Sequence, residues 1–593
     1  MFKNYLVIAL RNLMKHKLFA FINLLGLSIS LASFFLIILY VSYERSYDKL
    51  VENSDKIFRV FMDYKEGGQF YPGDAQVYNL TGPTLKQEFA EIKNYVRLFS
   101  LDQTTFEFQK RIVESPNGHL VDSSYFGVFD YPLVQGNPKL TLANPNSVVL
   151  SKKLARKLFG NTDPMGKIIH AHHRDQKTML SVTGVMDDIP ENTHMKTNFV
   201  ISFSTLNQWR ITNTSELNWN WNNYFTYILV HDDVDFASLK SKIINMDLGW
   251  EDERHNIEKL TDIHLHSNKT FEAEANGSIV RVRFLTAIAF IILILSWINY
   301  MNLTTTKSLE RAKEVGVRKI NGANKVSLIF QFLVEFLVLN TLAIIMAIVF
   351  IAVAIPYLNS FTGTDVKAGL ILNNSLILFL FITAAGVLIT GIIPAIVQSG
   401  FMPIRVFQKH HRERNTGIFK KVLVIGQFLL TIVLLVGSFT VYRQMHFMQN
   451  QPKGFSRDII ISVELNIIDN MRDMAKAATI LKTEFQKLSF VSGVSSAWTF
   501  PGEGYNELSS SLGFIKSDGT INNHSIFYWY TIDANRTAVA VSFLRVPISL
   551  QESMKRTCRP ARECGLRNWG TSTIFRGPCR ARSAPSDTWD NGP

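Results

Sequence analysis

The residues whose types and spacing could do chemistry fall into four groups. The first is Gly160-Asn-Thr-Asp-Pro-Met-Gly166-Lys167-Ile168, which resembles a loop that cradles phosphate with backbone N–H groups. Its spacing is one residue too long, and Ile168 stands where a Mg²⁺-binding hydroxyl is required, so it reads as a turn. In the second group, His170, His172, His173 and Asp175 carry metal-ligand side chains, and residues two apart share a strand face. A polar hairpin tip accounts for them, and no metal is expected. The third group, Trp209, Trp219, Trp221 and Tyr224, could form a platform for a sugar or peptide, although core and interface aromatics of an inserted lobe are the more economical reading. No Ser/His/Asp set and no carboxylate pair has a spacing that argues for catalysis.

The fourth group is Ser308–Glu335 (SLERAKEVGVRKINGANKVSLIFQFLVE), a basic, helix-prone segment with Gly316 and Gly322 as expected breaks. It lies between two apolar runs, Phe284–Leu303 and the stretch from Phe332 to Ile355. About 20 apolar residues rising 1.5 Å each cross the ~30 Å hydrocarbon layer. Lys307, Arg311, Lys313, Arg318, Lys319 and Lys325 gather near the membrane ends, which marks this face as cytoplasmic. Such a segment is suited to being gripped by a cytoplasmic partner.

The same arithmetic predicts five spans: 18–43, 284–303, 332–355, 375–397 and 422–442. Arg11, Lys15 and Lys17 put the N-terminus inside, and residues 1–17 read as an amphipathic entry helix. Residues 304–331 form the cytoplasmic coupling segment, 356–374 an outer loop, and 398–421 a basic cytoplasmic linker. The basic clusters follow the alternation that these spans require. The chain has 593 residues, 47% hydrophobic and 19% charged, with net charge +13. Much of the basic excess lies in juxtamembrane loops, so attraction to anionic lipid explains it and a nucleic-acid partner is excluded.

Residues 44–283 are long enough for one sizeable outside domain or two small ones. Lys56–Tyr64 alternates as a strand, and Gly82–Tyr95 reads as a helix with Pro83 in its first turn. Asn146–Leu150 and Leu180–Val185 are β-rich around a short helix at Ser151–Phe159, and Ile201–Trp250 reads as the inserted lobe (201–250). No cysteine precedes Cys558, so the domain needs no disulfide. Its side of the membrane also separates the phosphate-loop-like turn from ATP.

With these residues in hand, the chain resembles a permease subunit of the MacB/FtsX family of ABC systems. Asn12–Gly26 with Leu27–Ser30 is similar to that family's first span, and Tyr43–Asp48 with Ile57–Val60 to its entry into the periplasm. Val121–Phe126 and Pro145–Gly166 resemble the MacB-type periplasmic core, Ile263–Ser267 the segment before the return, and Arg311–Gly322 with Glu335 the FtsX signature. The resemblance implies a multi-pass α-helical membrane protein with a large periplasmic α/β domain, in the bacterial inner membrane. It implies no enzyme activity and no cofactor on this chain, with ATP and Mg²⁺ held by a separate cytoplasmic ABC ATPase dimer. A second permease copy and a periplasmic adaptor or outer-membrane component are the other implied partners besides the bilayer. By this resemblance the ATPase-coupling residues are Arg311, Lys313, Glu314, Gly316, Arg318, Lys319, Gly322 and Glu335. The implied mechanism is mechanotransmission, in which ATP-driven motion is levered to the periplasmic domain.

The family also has a duplicated form, and the chain begins such a repeat: Leu85-Lys-Gln-Glu-Phe89 recurs as Leu481-Lys-Thr-Glu-Phe485. Residues 443–535 therefore read as the start of a second, incomplete periplasmic domain, with a strand at Asp458–Leu465 and a helix at Met471–Leu488. Residues 536–593 hold all three cysteines (Cys558, Cys564, Cys579) and many arginines, and read as an aberrant tail from a frameshift or truncated gene. Export or extraction of a substrate is the leading function. The alternative is an FtsX-like regulatory protein controlling an envelope enzyme such as a cell-wall hydrolase. A chemoreceptor would need two spans and a long cytoplasmic coil, which this pattern lacks.

Overall fold

The computed structural model describes residues 2–310 except 16, 174–175, 208–218 and 220–221, and residues 312–366 except 321 and 323. It also describes scattered positions between 381 and 392, then 416–451, 471–491, 493–496, 509–515, 521–529, 567–569 and 572–574. Two short helices and three long ones carry the membrane-proximal part. They are α1 (Phe2–Lys15), α2 (Lys17–Glu44), α8 (Ile279–Glu310), α9 (Ala312–Ile320) and α10 (Lys325–Thr362). Helices α3 (Thr81–Glu88), α4 (Tyr125–Phe129), α5 (Lys152–Phe159), α6 (Phe236–Ile244) and α7 (Ile263–His266) belong to the 44–283 domain. Two more, α11 (Thr416–Asn450) and α12 (Met471–Gln486), follow.

Among the described residues, four helices are long and apolar enough to cross a membrane: Lys17–Glu44, Ile279–Thr304, Lys325–Thr362 and Val424–Asn450. The expected span at 375–397 lies largely outside the described residues, as does the linker at 398–421 apart from the first turns of α11. Helices α2, α8 and α10 share one apolar core that includes Phe34, Leu39, Ala289, Leu293, Phe332, Ala343 and Ala347. Small residues such as Ala289, Ala343 and Ala347, all fully buried, let the helices approach closely, since packing and not hydrophobicity holds helices together in lipid. Pro356 lies inside α10, which continues through it to a left-handed cap at Gly363.

The 44–283 domain is built on an eleven-stranded sheet. Its strands are β1 (Ile57–Glu66), β2 (Gln69–Pro72), β3 (Ile92–Phe108), β4 (Arg111–Val121), β5 (Leu133–Gln135), β6 (Ser147–Ser151), β7 (Ile168–His173), β8 (Gln176–Met186), β9 (Phe199–Ser202), β10 (Phe225–Val230) and β11 (Glu253–Lys259). The order is β11-β1-β10-β3-β4-β9-β6-β8-β5, with β2 on β1 and β7 joining β3 and β8. Most pairings are antiparallel, but β4/β9 and β6/β8 are parallel. Alternation sorts the side chains by face: Phe58, Val60 and Met62 of β1 join one core with Ile228 and Ile257. Ile57 joins another core with Val96, Leu98 and Tyr227.

Local signals are realised where they meet this sheet. Ser151 caps α5, its hydroxyl accepting from the Leu154 N–H at 3.2 Å, the interaction that makes serine a good helix start. The Gly82–Tyr95 helix is shorter than expected. It stops at Glu88, Phe89 is extended, and Ile92 already belongs to β3, because Val96 and Leu98 are needed in the core. The stretch 201–250 contributes β10, an interior strand between β1 and β3, so it is part of the sheet and not a separate lobe.

Two of the chemistry-like clusters lie in this domain. His170, His172 and His173 lie on β7 at the end of its hairpin with β8, His173 opposite Gln176, as expected, but His172 and His173 are buried. Among the described residues no group of three or more His, Cys, Asp or Glu is placed to hold a metal ion. Tyr224 is buried in the core and Trp219 packs on Tyr78 and Trp250; Trp209 and Trp221 lie outside the described residues. Residues 44–283 expressed alone are expected to fold as a monomer whose melting temperature moves by less than about 1 °C on chelation. A large loss of stability with EDTA would contradict the structural reading of these histidines.

Two other histidines make the domain acid-sensitive. Burial pushes His119 down to about 3, with a smaller contribution from His194, and burial alone pushes His255 down to about 3. Unfolded, both titrate near 6.5. Between these values the unfolded chain binds more protons, so stability falls as pH drops from about 6.5 toward 3. Each histidine should cost about 2 kcal/mol by pH 5 relative to neutral pH. Thermal melts of the isolated domain at pH 7.5 and 5 check this, and His255→Phe should remove about half of the histidine-dependent difference. An unchanged pH slope in that variant would assign the acid sensitivity elsewhere.

Beyond the membrane helices, α12 carries the repeated Leu481–Phe485 motif, and β12 (Ser509–Ile515) pairs antiparallel with β13 (Ile521–Trp529). The expected strand at Asp458–Leu465 lies outside the described residues. In the tail only an antiparallel pair, Arg567–Trp569 with Ser572–Ile574, is described, and its three cysteines lie outside the described residues.

Candidate coupling site

Helix α9 is a nine-residue element between α8 and α10. Gly322, at φ +92°, sits in a conformation that favours glycine and turns the chain back toward α10. Asn324 then starts α10, accepting the Ser327 N–H at 2.7 Å. Gly316, expected as a break, lies inside α9 and is buried.

A chain of polar groups fastens α9 to the bundle. The Arg318 guanidinium donates to Gln331 Oε1 on α10. Gln331 Nε2 donates to Glu335 Oε1 at 3.4 Å, and Asn12 Nδ2 on α1 donates to the same oxygen at 2.8 Å. Gln331 is only 5% exposed, so these groups are held mostly away from water, where a lost partner costs about 1–3 kcal/mol. Of the residues expected here, Arg318, Gly322 and Glu335 are brought to this end of the bundle. Lys319, in the last turn of α9, is half-exposed. Arg311 lies outside the described residues, as do the side chains of Lys313 and Glu314. Asn12 and Gln331 were not anticipated. The signal for Gln331 was present, since a polar residue four positions before Glu335 shares its helix face.

Helix α8 links this site to the domain without interruption from Glu310 back to Ile279, a length of about 48 Å at 1.5 Å per residue. At its far end the domain meets α2 in a second polar cluster. Glu44, the last residue of α2, lies 3.1 Å from His264 Nε2, and the His264 ring stacks on Tyr47 with centroids 3.4 Å apart. Asp48, at φ +60°, accepts from Thr193 Oγ1 at 2.8 Å and from the His194 N–H at 3.2 Å. His194 Nε2 in turn contacts the Tyr227 hydroxyl at 2.6 Å. Gly277 precedes α8, and a Cβ there would fall 2.8 Å from both Glu44 Oε2 and His264 Nε2. A side chain there would have to displace the Glu44 carboxylate or the His264 ring. The segments carrying these residues, Tyr43–Asp48 and Ile263–Ser267, stood out in the sequence, but not as partners of each other.

A buried ion network holds the segment before α8 against the sheet. Arg59 on β1 is fully buried and donates to Glu258 on β11 at 2.6 Å, to Ser267 at 2.9 Å and to Glu272 at 2.8 Å. Lys269 Nζ donates to Glu258 Oε2 at 2.7 Å and lies 3.9 Å from the Phe61 ring centroid. Burial works against the Arg59 charge, but the bonds and charges of Glu272 and Glu258 outweigh it, so its pKa is raised. The same pairing, acting against burial, holds Glu272 below the usual carboxylate range.

Comparison with known proteins places two family models along the chain. A MacB-like periplasmic core domain matches residues 20–246, and an FtsX-like permease C-terminal domain matches residues 286–404. The chain is 29% identical over 293 residues to the macrolide export ATP-binding/permease protein MacB of Haemophilus ducreyi, covering 48% of this chain and 39% of that protein. It is 21% identical over 347 residues to the uncharacterized ABC transporter permease YknZ of Bacillus subtilis, covering 56% of this chain and 81% of that one. The chain thus spans about two fifths of the length of the MacB relative. Among solved structures, the periplasmic region of MacB from Actinobacillus actinomycetemcomitans aligns with 35% of this chain and 92% of its own, at 19% identity and a TM-score of 0.26.

Proposed function

We propose, from this chain's membership of the MacB/FtsX family of ABC permeases, that it carries motion from a separate cytoplasmic ATPase to its periplasmic domain. The observation that supports this most is the unbroken α8, which meets α9 at one end and the Glu44–His264 cluster at the other. A stiff helix anchored at both ends transmits displacement, whereas a flexible linker would absorb it. In this reading α9 and its flanks are the docking element, Arg311, Lys313, Glu314 and Lys319 are its coupling residues, and Arg318 is tied back into the bundle. The ATPase dimer supplies ATP and Mg²⁺ chemistry, and this chain acts as permease and not as an enzyme. A second permease copy completes the membrane unit. The N-terminus is cytoplasmic, the membrane is the bacterial inner membrane, and the 44–283 domain handles the substrate for export or extraction, with an adaptor or outer-membrane component beyond it.

The test joins topology to coupling. Glu314→Cys should react with a membrane-impermeant maleimide in inside-out vesicles and not in intact spheroplasts. Glu314→Lys should lower ATP-driven function at least tenfold while the chain still inserts and accumulates. Labelling of position 314 from outside would overturn both the orientation and the docking role. Recovery of a cell-wall hydrolase, in place of an export component, with the periplasmic domain would move the function to regulation of an envelope enzyme.

A further inference from the structure

Residues 191–197, between β8 and β9, form neither helix nor strand, yet Thr193, His194, Met195 and Thr197 are all buried. A buried loop must find partners for its own polar groups. This one finds them at the exit of α2, at the entrance to α8 and inside the sheet.

On the α2 side the contacts are short and enclosed. The Asp48 N–H donates to the Asn192 carbonyl at 3.1 Å, and Asn192 Nδ2 donates to Ser46 Oγ at 2.9 Å. Thr193 Oγ1 donates to Asp48 Oδ1 at 2.8 Å, and His194 Nδ1 lies 2.9 Å from the same oxygen. On the α8 side, Lys196 Nζ lies 3.2 Å from Glu274, in the stretch that leads into α8, and 3.4 Å from Glu191. Inward, His194 Nε2 meets the Tyr227 hydroxyl of β10 at 2.6 Å, and Thr197 Oγ1 meets His119 Nδ1 of β4 at 3.3 Å. Strands β10 and β4 flank β3 inside the sheet.

Magnitudes decide which of these contacts yields. Breaking the enclosed bonds to Asp48 leaves buried groups unpaired, at about 1–3 kcal/mol each and more for the carboxylate. The Lys196–Glu274 pair is partly exposed, with side chains 37% and 29% accessible, and such pairs are worth ~0–1 kcal/mol. Residues 191–197 therefore follow the α2 exit, and displacement between α2 and α8 is taken up at Lys196. The displacement reaches Tyr227 because the rigid His194 ring stands between Asp48 on one nitrogen and Tyr227 on the other.

We propose that residues 191–197 are the part of the periplasmic domain that receives relative movement of α2 and α8, with His194 as the positioning residue that passes it to β10. The Glu44–His264 contact is a parallel link, but it leads to α7, which follows the edge strand β11. His194 reaches the interior of the sheet. The proposal takes the source of the movement from the transmission reading above, whereas its test imposes the movement by mutation with no ATPase present. The two readings therefore fail separately.

Contacts alone do not establish coupling, so the experiment measures it, using the full chain in lipid nanodiscs. Gly277→Trp wedges the helix exits, since even a Cβ there falls 2.8 Å from Glu44 Oε2 and His264 Nε2. Amide exchange is followed by mass spectrometry for 191–197, 225–230 and 264–277, with 152–159 in α5 as the reference. The wedge should change exchange at least threefold in the three test segments and leave α5 unchanged. In a His194→Leu background the change at 225–230 should vanish while that at 264–277 persists. His194→Gln, which keeps a polar group within reach of Tyr227, should restore part of it. Comparing the wedge within each background cancels any stability that the His194 substitution removes by itself. Where His194→Leu does not fold, Asn192→Ala with Thr193→Val cuts the same link from the Asp48 side. An equal response at 225–230 in parent and variant would overturn the proposal, as would a response confined to 264–277 in the parent.

Discussion

Arg59→Met is expected to destabilise the periplasmic domain by about 3–5 kcal/mol, because it leaves buried charges without their counterion. Arg59 supplies hydrogen bonds to Glu258, Ser267 and Glu272 from a position with no solvent exposure. Removing it leaves Lys269 as the one cation within this group of four against two glutamates. In a domain of this size each kcal/mol moves the melting temperature by roughly 2–4 °C, so a fall of about 6–20 °C is expected. The network also ties the 267–272 segment to β1 and β11, so the entrance to α8 should loosen, and amide exchange there should rise. Replacing the whole cluster together, as in Arg59→Met with Glu258→Gln, Glu272→Leu and Lys269→Met, should recover much of the loss, since a buried ion cluster stabilises little relative to an apolar one. A melting temperature for Arg59→Met within about 2 °C of the parent would show that water or rearrangement satisfies these carboxylates.

Arg318→Ala is expected to lower ATP-driven function by about 10- to 100-fold, the equivalent of the ~1.5–3 kcal/mol carried by a hydrogen bond from a charged group. The loss would arise because α9 is no longer tied through Gln331 and Glu335 to α10 and α1. Arg318→Lys keeps the charge and one donor, and should recover part of the activity, while Asn12→Ala, at the far end of the chain of bonds, should cost less. The measurement is ATP hydrolysis by the reconstituted complex, with and without the permease conformational cycle engaged, alongside co-purification of the ATPase. Docking that persists with hydrolysis no longer coupled places the defect in transmission. Full coupling in Arg318→Ala would mean that the polar chain is only a local brace.

These two residues were unequally legible. Arg318 belongs to a basic run flanked by apolar segments, and charge beside a membrane end is a one-dimensional signal that needs no partner to be noticed. Arg59 reads in sequence as the polar position of an alternating strand, Ile57-Phe-Arg-Val60, where it should face water. The sheet places it instead opposite Glu258 and beneath the 267–272 segment, about 200 residues away in the chain. The histidines of β7 do stand at a hairpin end, His173 opposite Gln176, but that His172 and His173 are buried there was not legible, because the β3 strand beside them is about 65 residues away in the chain.

What the sequence determined by itself is whatever depends on local composition and length. Apolar length set the membrane helices, basic flanks predicted their orientation, and period-two alternation and a serine before an apolar-faced helix located β1 and α5. The phosphate-loop likeness was excluded by spacing alone. What only the tertiary structure decided is which distant segments share a face. It put β10 between β1 and β3 inside the sheet, ended α3 at Glu88, joined Glu44 to His264 across Gly277, and brought Asn12 to Glu335. The physical reason is that hydrophobic length and helix or strand period are properties of neighbouring residues. A hydrogen bond between residues hundreds of positions apart exists only once packing has removed the competing water.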